Sequence, residues 1–161
     1  MKRTYAKMKK ELRLYWKNYV LQSLLATSVM VIVFMFLSLN NVVVVASIGS
    51  TAFVIFALPK SITAEPRNVI GGNLVGLVSG SVCALIPQPI YMVSLIAYAL
   101  AVGLSIFIMV VTDTEHPPAS GLALGVAITG FTWNVGIAVI TAVIVLSLVH
   151  HFCKPMIKDL V

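Results

Sequence analysis

From Val20 onward the chain is almost continuously apolar, and its polar residues are confined to a few short interruptions. In hydrocarbon there is no water to satisfy backbone N–H and C=O groups, so runs of this kind are driven into helices. Val20–Leu39, Asn68–Ile86, Tyr91–Val111 and Val135–Phe152 are each long enough to span a bilayer, which takes about 17–25 residues. With 60% hydrophobic and 10% charged residues, the composition excludes an ordinary soluble domain. At roughly 20 residues per crossing, a chain of 161 residues has room for about six crossings and no separate soluble domain. The expected fold is all-α, polytopic and single-domain.

The formal charge is +6, which in a soluble protein would raise the question of nucleic acid. Seven of the basic residues, Lys2, Arg3, Lys7, Lys9, Lys10, Arg13 and Lys17, precede Val20. That bias marks a cytoplasmic flank of a membrane protein, so no nucleic-acid partner is expected. Tyr5, Met8, Leu12 and Tyr15 or Trp16 recur at helical spacing among these bases, which predicts an amphipathic interfacial helix over residues 1–19. A cleavable signal peptide fits poorly, because the basic region is too long and the apolar run continues to Leu39. Residues 20–153 form the membrane domain and 154–161 a short cytoplasmic tail. Cys83 and Cys153 fall near the ends of different spans on opposite faces and read as free thiols.

Two short segments break the pattern of long spans. Asn40-Asn41 is followed by Val42–Val45, β-branched residues expected to run extended, then by small residues from Ala46 to Thr51 and an apolar run to Leu58-Pro59. The stretch TDTEHPPASG, Thr112–Gly121, likewise leads into a short apolar segment, Ala119–Phe131, with Gly121 and Gly125 four apart. The order full span, short segment, full span occurs twice. Asn68-Val69 and Asn134-Val135 open the third elements of the two triplets, 66 residues apart, which predicts two inverted three-segment repeats. Charge supports six crossings: Lys60 and Arg67 lie with the N-terminus, Pro87–Pro89 carries no base, and Lys154 and Lys158 return to the first side. The alternative makes the short segments re-entrant, which puts Lys60 and Arg67 outside. Gly72, Gly76 and Gly80 form a small-xxx-small ladder, the mark of a packing helix and a reason to expect a homo-oligomer.

If both short segments begin as half-helices after extended backbone, two helix N-termini face each other near the midplane. Unpaired amides and positive dipole ends would then hold a small anion without a cationic side chain. The binding residues expected on this reading are Ser47, Gly49, Ser50, Thr51, His116, Pro118, Ala119, Ser120 and Gly121. Asp113 and Glu115 pair with Arg67 and Lys60, or one of them carries a coupling proton in which His116 shares. Against this stands the commoner role of small residues, the packing of helices. No cofactor or metal is expected, since Asp113, Glu115 and His116 alternate instead of sharing a helical face, and His150-His151 reads as an interfacial pair. A small intramembrane enzyme using Asp113, Glu115 or His116 is the alternative class, without a Ser-His or Cys-His pairing to support it. A structural membrane subunit is the third.

His116-Pro117-Pro118-Ala119 between two apolar spans resembles the signature of the HPP family of integral membrane proteins. Upstream, LPKSITAEPRNVIGGNLVG, Leu58–Gly76, resembles the family's other recurrent stretch, and the resemblance extends over most of Val20–Phe152. It implies a membrane transporter or channel for a small inorganic anion, nitrite being the one associated with some members. The expected location is the plasma (inner) membrane, with both termini cytoplasmic.

Overall fold

The computed structural model describes residues 2–36 and 42–160, with side chains for residue 10, 13–35 and 43–160. Six helices follow one another: α1 (Lys2–Phe36), α2 (Val42–Ala57), α3 (Pro66–Ala84), α4 (Tyr91–Val111), α5 (Pro118–Thr129) and α6 (Trp133–Cys153). A short 3-10 turn at Ile62–Ala64 joins α2 to α3. No strand occurs among the described residues. Among the described residues three helices are long and apolar enough to cross a membrane: α1 through Arg13–Met35, α4 and α6. At about 1.5 Å per residue, the 12 residues of α5 cover some 18 Å, well short of a hydrocarbon layer of about 30 Å.

Two expectations about local structure are corrected. The basic segment is not a helix of its own; α1 runs unbroken from Lys2 to Phe36. Nothing in that stretch stops it, because it contains neither glycine nor proline and a helix continues until something interrupts its bonding. Its Tyr5, Met8 and Leu12 side chains and the Asn40-Asn41 break lie outside the described residues. Secondly, Val42–Val45 is helical and opens α2. The strand preference of valine reflects packing on a sheet surface, and with no sheet to join, the helix is what satisfies the backbone.

The helices alternate in direction. Gln22 Nε2 of α1 donates to Phe56 O of α2 at 2.6 Å, and further along α1 Ala26, Met30 and Phe34 face Gly49, Ala52 and Phe53, which come earlier in α2, so the two are antiparallel. Thr51 of α2 meets His116 just before α5 begins, and Val43 meets Gly125 further along it, so this pair is antiparallel too. By contrast α3 and α5 run parallel, with Gly72 against His116, Gly76 against Ala119 and Gly80 against Ala123. The α2–α3 connection, the α4–α5 connection and the stretch after α6 therefore gather at one end of the bundle, while Pro87–Pro89 lies at the other.

The core is built around the short helices. Val29, Val33, Val44, Ile48, Ile55, Val69, Val126, Val139 and Leu146 interlock from α1, α2, α3, α5 and α6. Seven residues of α5 are buried, Leu122 and Val126 completely. Ala97, Ala101, Ser105 and Met109 form a buried stripe along α4 at every fourth position, leaving Leu100, Phe107 and Val110 exposed on its outer face. That asymmetry suits contact with lipid.

The glycine ladder belongs to the interior of this chain. A Cβ placed on Gly80 would lie 2.5 Å from Ala123 O, and one on Gly76 would press into Ala119 O. Neither obstacle is a flexible side-chain tip, so the backbones of α3 and α5 can approach this closely only without side chains at those positions. Gly76→Ala is expected to destabilise by about 1–3 kcal/mol through overpacking. Gly49 has open space around its Cβ position, so Gly49→Ala should leave the melting temperature in detergent nearly unchanged. Equal melting temperatures for the two variants would contradict the close α3–α5 contact.

Candidate functional site

The stretch Thr112–Pro118 is shaped by the way α4 ends. Thr114 N donates to Met109 O at 2.9 Å and Asp113 N to Val110 O at 3.4 Å, the paired bonds of a Schellman stop. Asp113 occupies the left-handed position of that motif, with φ of 53°, where glycine is commonest and aspartate is tolerated. Its carboxylate reaches Arg67 Nη1 at 3.3 Å, and Arg67 Nη2 donates to Thr112 O at 3.3 Å. This pairing of Arg67 with Asp113 was one of the sequence expectations. Both side chains are exposed, so it holds the connection in place without adding much stability.

Turned back by this stop, the chain lays Thr114 and His116 on α3. A Cβ on Gly71 would meet Thr114 Cγ2 at 2.8 Å, and one on Gly72 would meet His116 Cβ at 2.6 Å. The paired glycines thus make the bed on which the connection rests. Asn68 Nδ2 donates to Glu115 O at 3.2 Å, fixing the strand of backbone between them. Pro118 then occupies the first position of α5, where its lack of an N–H costs nothing.

His116 is completely buried. Its Nδ1 lies 2.8 Å from Thr63 O, and a carbonyl can only accept, so Nδ1 carries a proton. Nε2 lies 3.0 Å from Thr51 Oγ1, and Thr51 Oγ1 lies 3.1 Å from Ser47 O. Ser47 Oγ donates to Pro118 O at 2.8 Å. One imidazole thus joins α2, the α2–α3 connection and the start of α5. With a neutral ring, the single Thr51 proton is shared between two acceptors, Nε2 and Ser47 O. With a charged ring, Nε2 donates to Thr51 and that hydroxyl turns wholly to Ser47 O. The ring's charge state sets the direction of the relay.

His116 lies in the connection, outside the helices, and burial pushes its pKa below 6.5, opposed by the bond to Thr63 O. The other charged groups at this end pair away from it. Lys154 Nζ bonds Glu65, and Lys60 is held through its backbone N–H by Asp159 Oδ1 at 3.0 Å. Among the described residues neither Lys60 nor Glu115 makes an ion pair through its side chain.

Of the residues named from sequence, the fold brings together Ser47, Thr51, His116, Pro118 and Ala119. Gly49 instead lines a cleft between α1 and α2 with Ala26, Met30 and Phe53, Ser50 is exposed, and Ser120 Oγ turns back to Pro117 O at 2.8 Å. Gly121 has open space beside it. The facing pair of helix N-termini is corrected. Because α2 starts at Val42, its N-terminus lies beside the C-terminal half of α5, and Ser47–Thr51 are inside the helix with their amides committed to its ladder. At α5, Pro117 and Pro118 have no N–H, Ala119 N bonds His116 O at 2.9 Å and Ser120 N bonds Pro117 O at 3.2 Å. Side-chain donors, not dipole ends, are what this region offers.

Sequence reasoning passed over Gln22, and the expected interfacial pair His150-His151 is corrected at His150. Gln22 is fully buried and bonds Phe56 O, Lys158 O and Lys158 N; an amide alone in an apolar span was the available signal. His150 is buried with Nε2 2.8 Å from Pro59 O, while His151 is exposed.

A family model for the transmembrane region of HPP proteins matches residues 9–159, covering the His-Pro-Pro turn, the paired glycines and every helix of the bundle. The chain belongs to the HPP transmembrane family. It is an integral membrane protein. Two Dictyostelium discoideum proteins, each described only as a transmembrane protein, are similar to this HPP chain. One is 40% identical over 82 residues, covering 51% of this chain and 29% of the relative. The other is 34% identical over 85 residues, covering 53% and 27%. The matched region is thus under a third of either relative. No solved structure matches.

The depressed His116 pKa has a testable consequence. As pH falls below 6.5, the unfolded chain takes up the proton before the folded one, so the ring's stabilising contribution is complete above that value and is lost as pH drops through the lower folded pKa. The melting temperature in detergent should decline from about pH 7.5 to about pH 5 more steeply for the parent than for His116→Gln. Parallel declines would show that the ring does not titrate with folding.

Proposed function

We propose that this chain is the membrane-embedded unit of a transporter or channel for a small inorganic anion, nitrite being the anion favoured by the family resemblance. The observation that supports this reading is the buried polar seam Ser47–Thr51–His116 between the two short helices. Polar side chains inside a membrane bundle are costly and concentrate along substrate and proton paths. In this reading Ser47, Thr51 and protonated His116 donate to the anion when α2 and α5 separate, exchanging bonds they make to each other when packed. His116 brings a proton with the anion, in a direction set by the relay. Arg67 and Asp113 gate the approach to the seam, with Glu115 and Lys60 beside them. The antiparallel packing of α2 on α5 fits two inverted three-helix repeats and six crossings, with both termini cytoplasmic in the plasma membrane. A homo-oligomer would use the outer faces of the bundle, since the Gly72–Gly80 ladder is occupied by α5 and the connection leading into it.

Nitrite flux into sealed proteoliposomes, compared with protein-free vesicles, tests the reading. Thr51→Val removes the hydroxyl at nearly constant volume and should lower flux about tenfold, equivalent to roughly 1.4 kcal/mol, in protein that still folds. Parent-rate flux in Thr51→Val would remove the seam from the path, and no flux in the parent would remove the function.

The topology carries its own test. Single cysteines replacing Lys60 and Gln88 should react with an impermeant thiol reagent from opposite sides of the membrane. Labelling of position 60 only from outside would overturn six crossings and favour re-entrant short segments.

A further inference from the structure

The stretch after α6 does not leave the bundle as a tail; it is folded back across the end where α2 finishes. Ile157 is buried to 3% exposure. Lys158 N donates to Gln22 Oε1 at 3.2 Å, and Gln22 Nε2 donates in return to Lys158 O at 2.8 Å. Leu160 N donates to Ala57 O at 2.9 Å, and Tyr19 Oη to Leu160 O at 3.2 Å. Asp159 Oδ1 accepts from Lys60 N at 3.0 Å, and Lys154 pairs with Glu65 at the root of the stretch. Two of the contacts serve the end of α2. Ala57 O is an end carbonyl of α2 with no partner inside its own helix, and Leu160 supplies one; Gln22, held by the same stretch, bonds the neighbouring Phe56 O.

We propose that residues 154–160 are a strap that fastens the end of α2 to α1 and α6, and that its release permits α2 to move away from α5. Two features separate it from ordinary core packing. Its holds are almost all hydrogen bonds at the polar end of the bundle, with one buried apolar side chain, Ile157, and such bonds exchange readily for bonds to water. It also grips α2, the helix that carries Ser47 and Thr51, while making none of its bonds to α5. Opening the strap therefore frees one wall of the polar seam and leaves the α3–α5 contact intact. As a gate, the strap rests on the transport reading; as a control of α2 mobility, it stands without it.

The test is a reversible lock. Ala57→Cys with Leu160→Cys places a cysteine pair where the two backbones already bond, in a chain whose Cys83 and Cys153 are replaced by alanine. Hydrogen exchange of the α2 amides is measured in the oxidised and reduced forms, together with nitrite flux. Oxidation should slow exchange through Ser47–Ala57 and lower flux severalfold, with both recovering on reduction; Asp159→Ala, which removes one exposed hold, should speed exchange in the same segment. Identical exchange in oxidised and reduced protein would overturn the strap. Slowed exchange with unchanged flux would keep the strap on α2 and overturn its role as a gate. Absence of flux in the reduced form and the parent would defeat the transport reading alone, leaving the exchange comparison to judge the strap.

Discussion

The arrangement depends on one buried imidazole. His116 donates to the carbonyl of Thr63 and meets the hydroxyl of Thr51, so α2 and the turn after it are tied through a single ring to the distant start of α5. Leaving either partner unpaired in a dry interior would cost about 1–3 kcal/mol, a large fraction of what holds a small domain together. The position of the ring follows from its neighbours: the Schellman stop at Asp113 turns the chain, and Gly71 and Gly72 let it lie against α3.

The second constraint is the closeness of α3 and α5. A helix of 12 residues is too short to be stable by itself and too short to cross a bilayer alone. It exists because three other helices enclose it, with α3 near enough to touch backbone to backbone. Glycine on one side and alanine on the other replace the interlocking of large side chains, which in lipid has no hydrophobic drive to assist it. The cost is that α5 has almost no surface of its own, so any change in its position is felt by α2 and by the relay. A polar seam shared with such a helix is suited to respond to protonation.

The family's recurrent residues acquire separate physical tasks in this bundle. Pro118 starts α5, Gly71-Gly72 receives the connection, Arg67 holds its turn, and Asn68 fixes the backbone of Glu115. None of these residues needs to touch a ligand to be required. The residue of the signature with spare chemistry is His116, and it touches Thr51 of α2.

Helicity, the bounds of α4, the free cysteines and the short helix behind the His-Pro-Pro turn were legible in the sequence, because they follow from local hydropathy, proline geometry and the ban on unpaired backbone in lipid. The packing role of the Gly72–Gly80 ladder was legible as well, although its partner was not. The helicity of Val42–Val45 was not legible, because the strand preference of valine holds only where there is a sheet to join, and the expected facing dipole ends depended on an extended chain there. Gln22 and the stretch after α6 were illegible for a different reason: their bonds link residues 136 apart, and no local pattern encodes which carbonyl a buried amide will find. Sequence alone determined a helical membrane bundle and the residues able to carry chemistry, since both are properties of single segments. Only the tertiary structure decided that His116 meets Thr51, and that Gly49 and Ser50 turn away, because those pairings depend on how six helices share one interior.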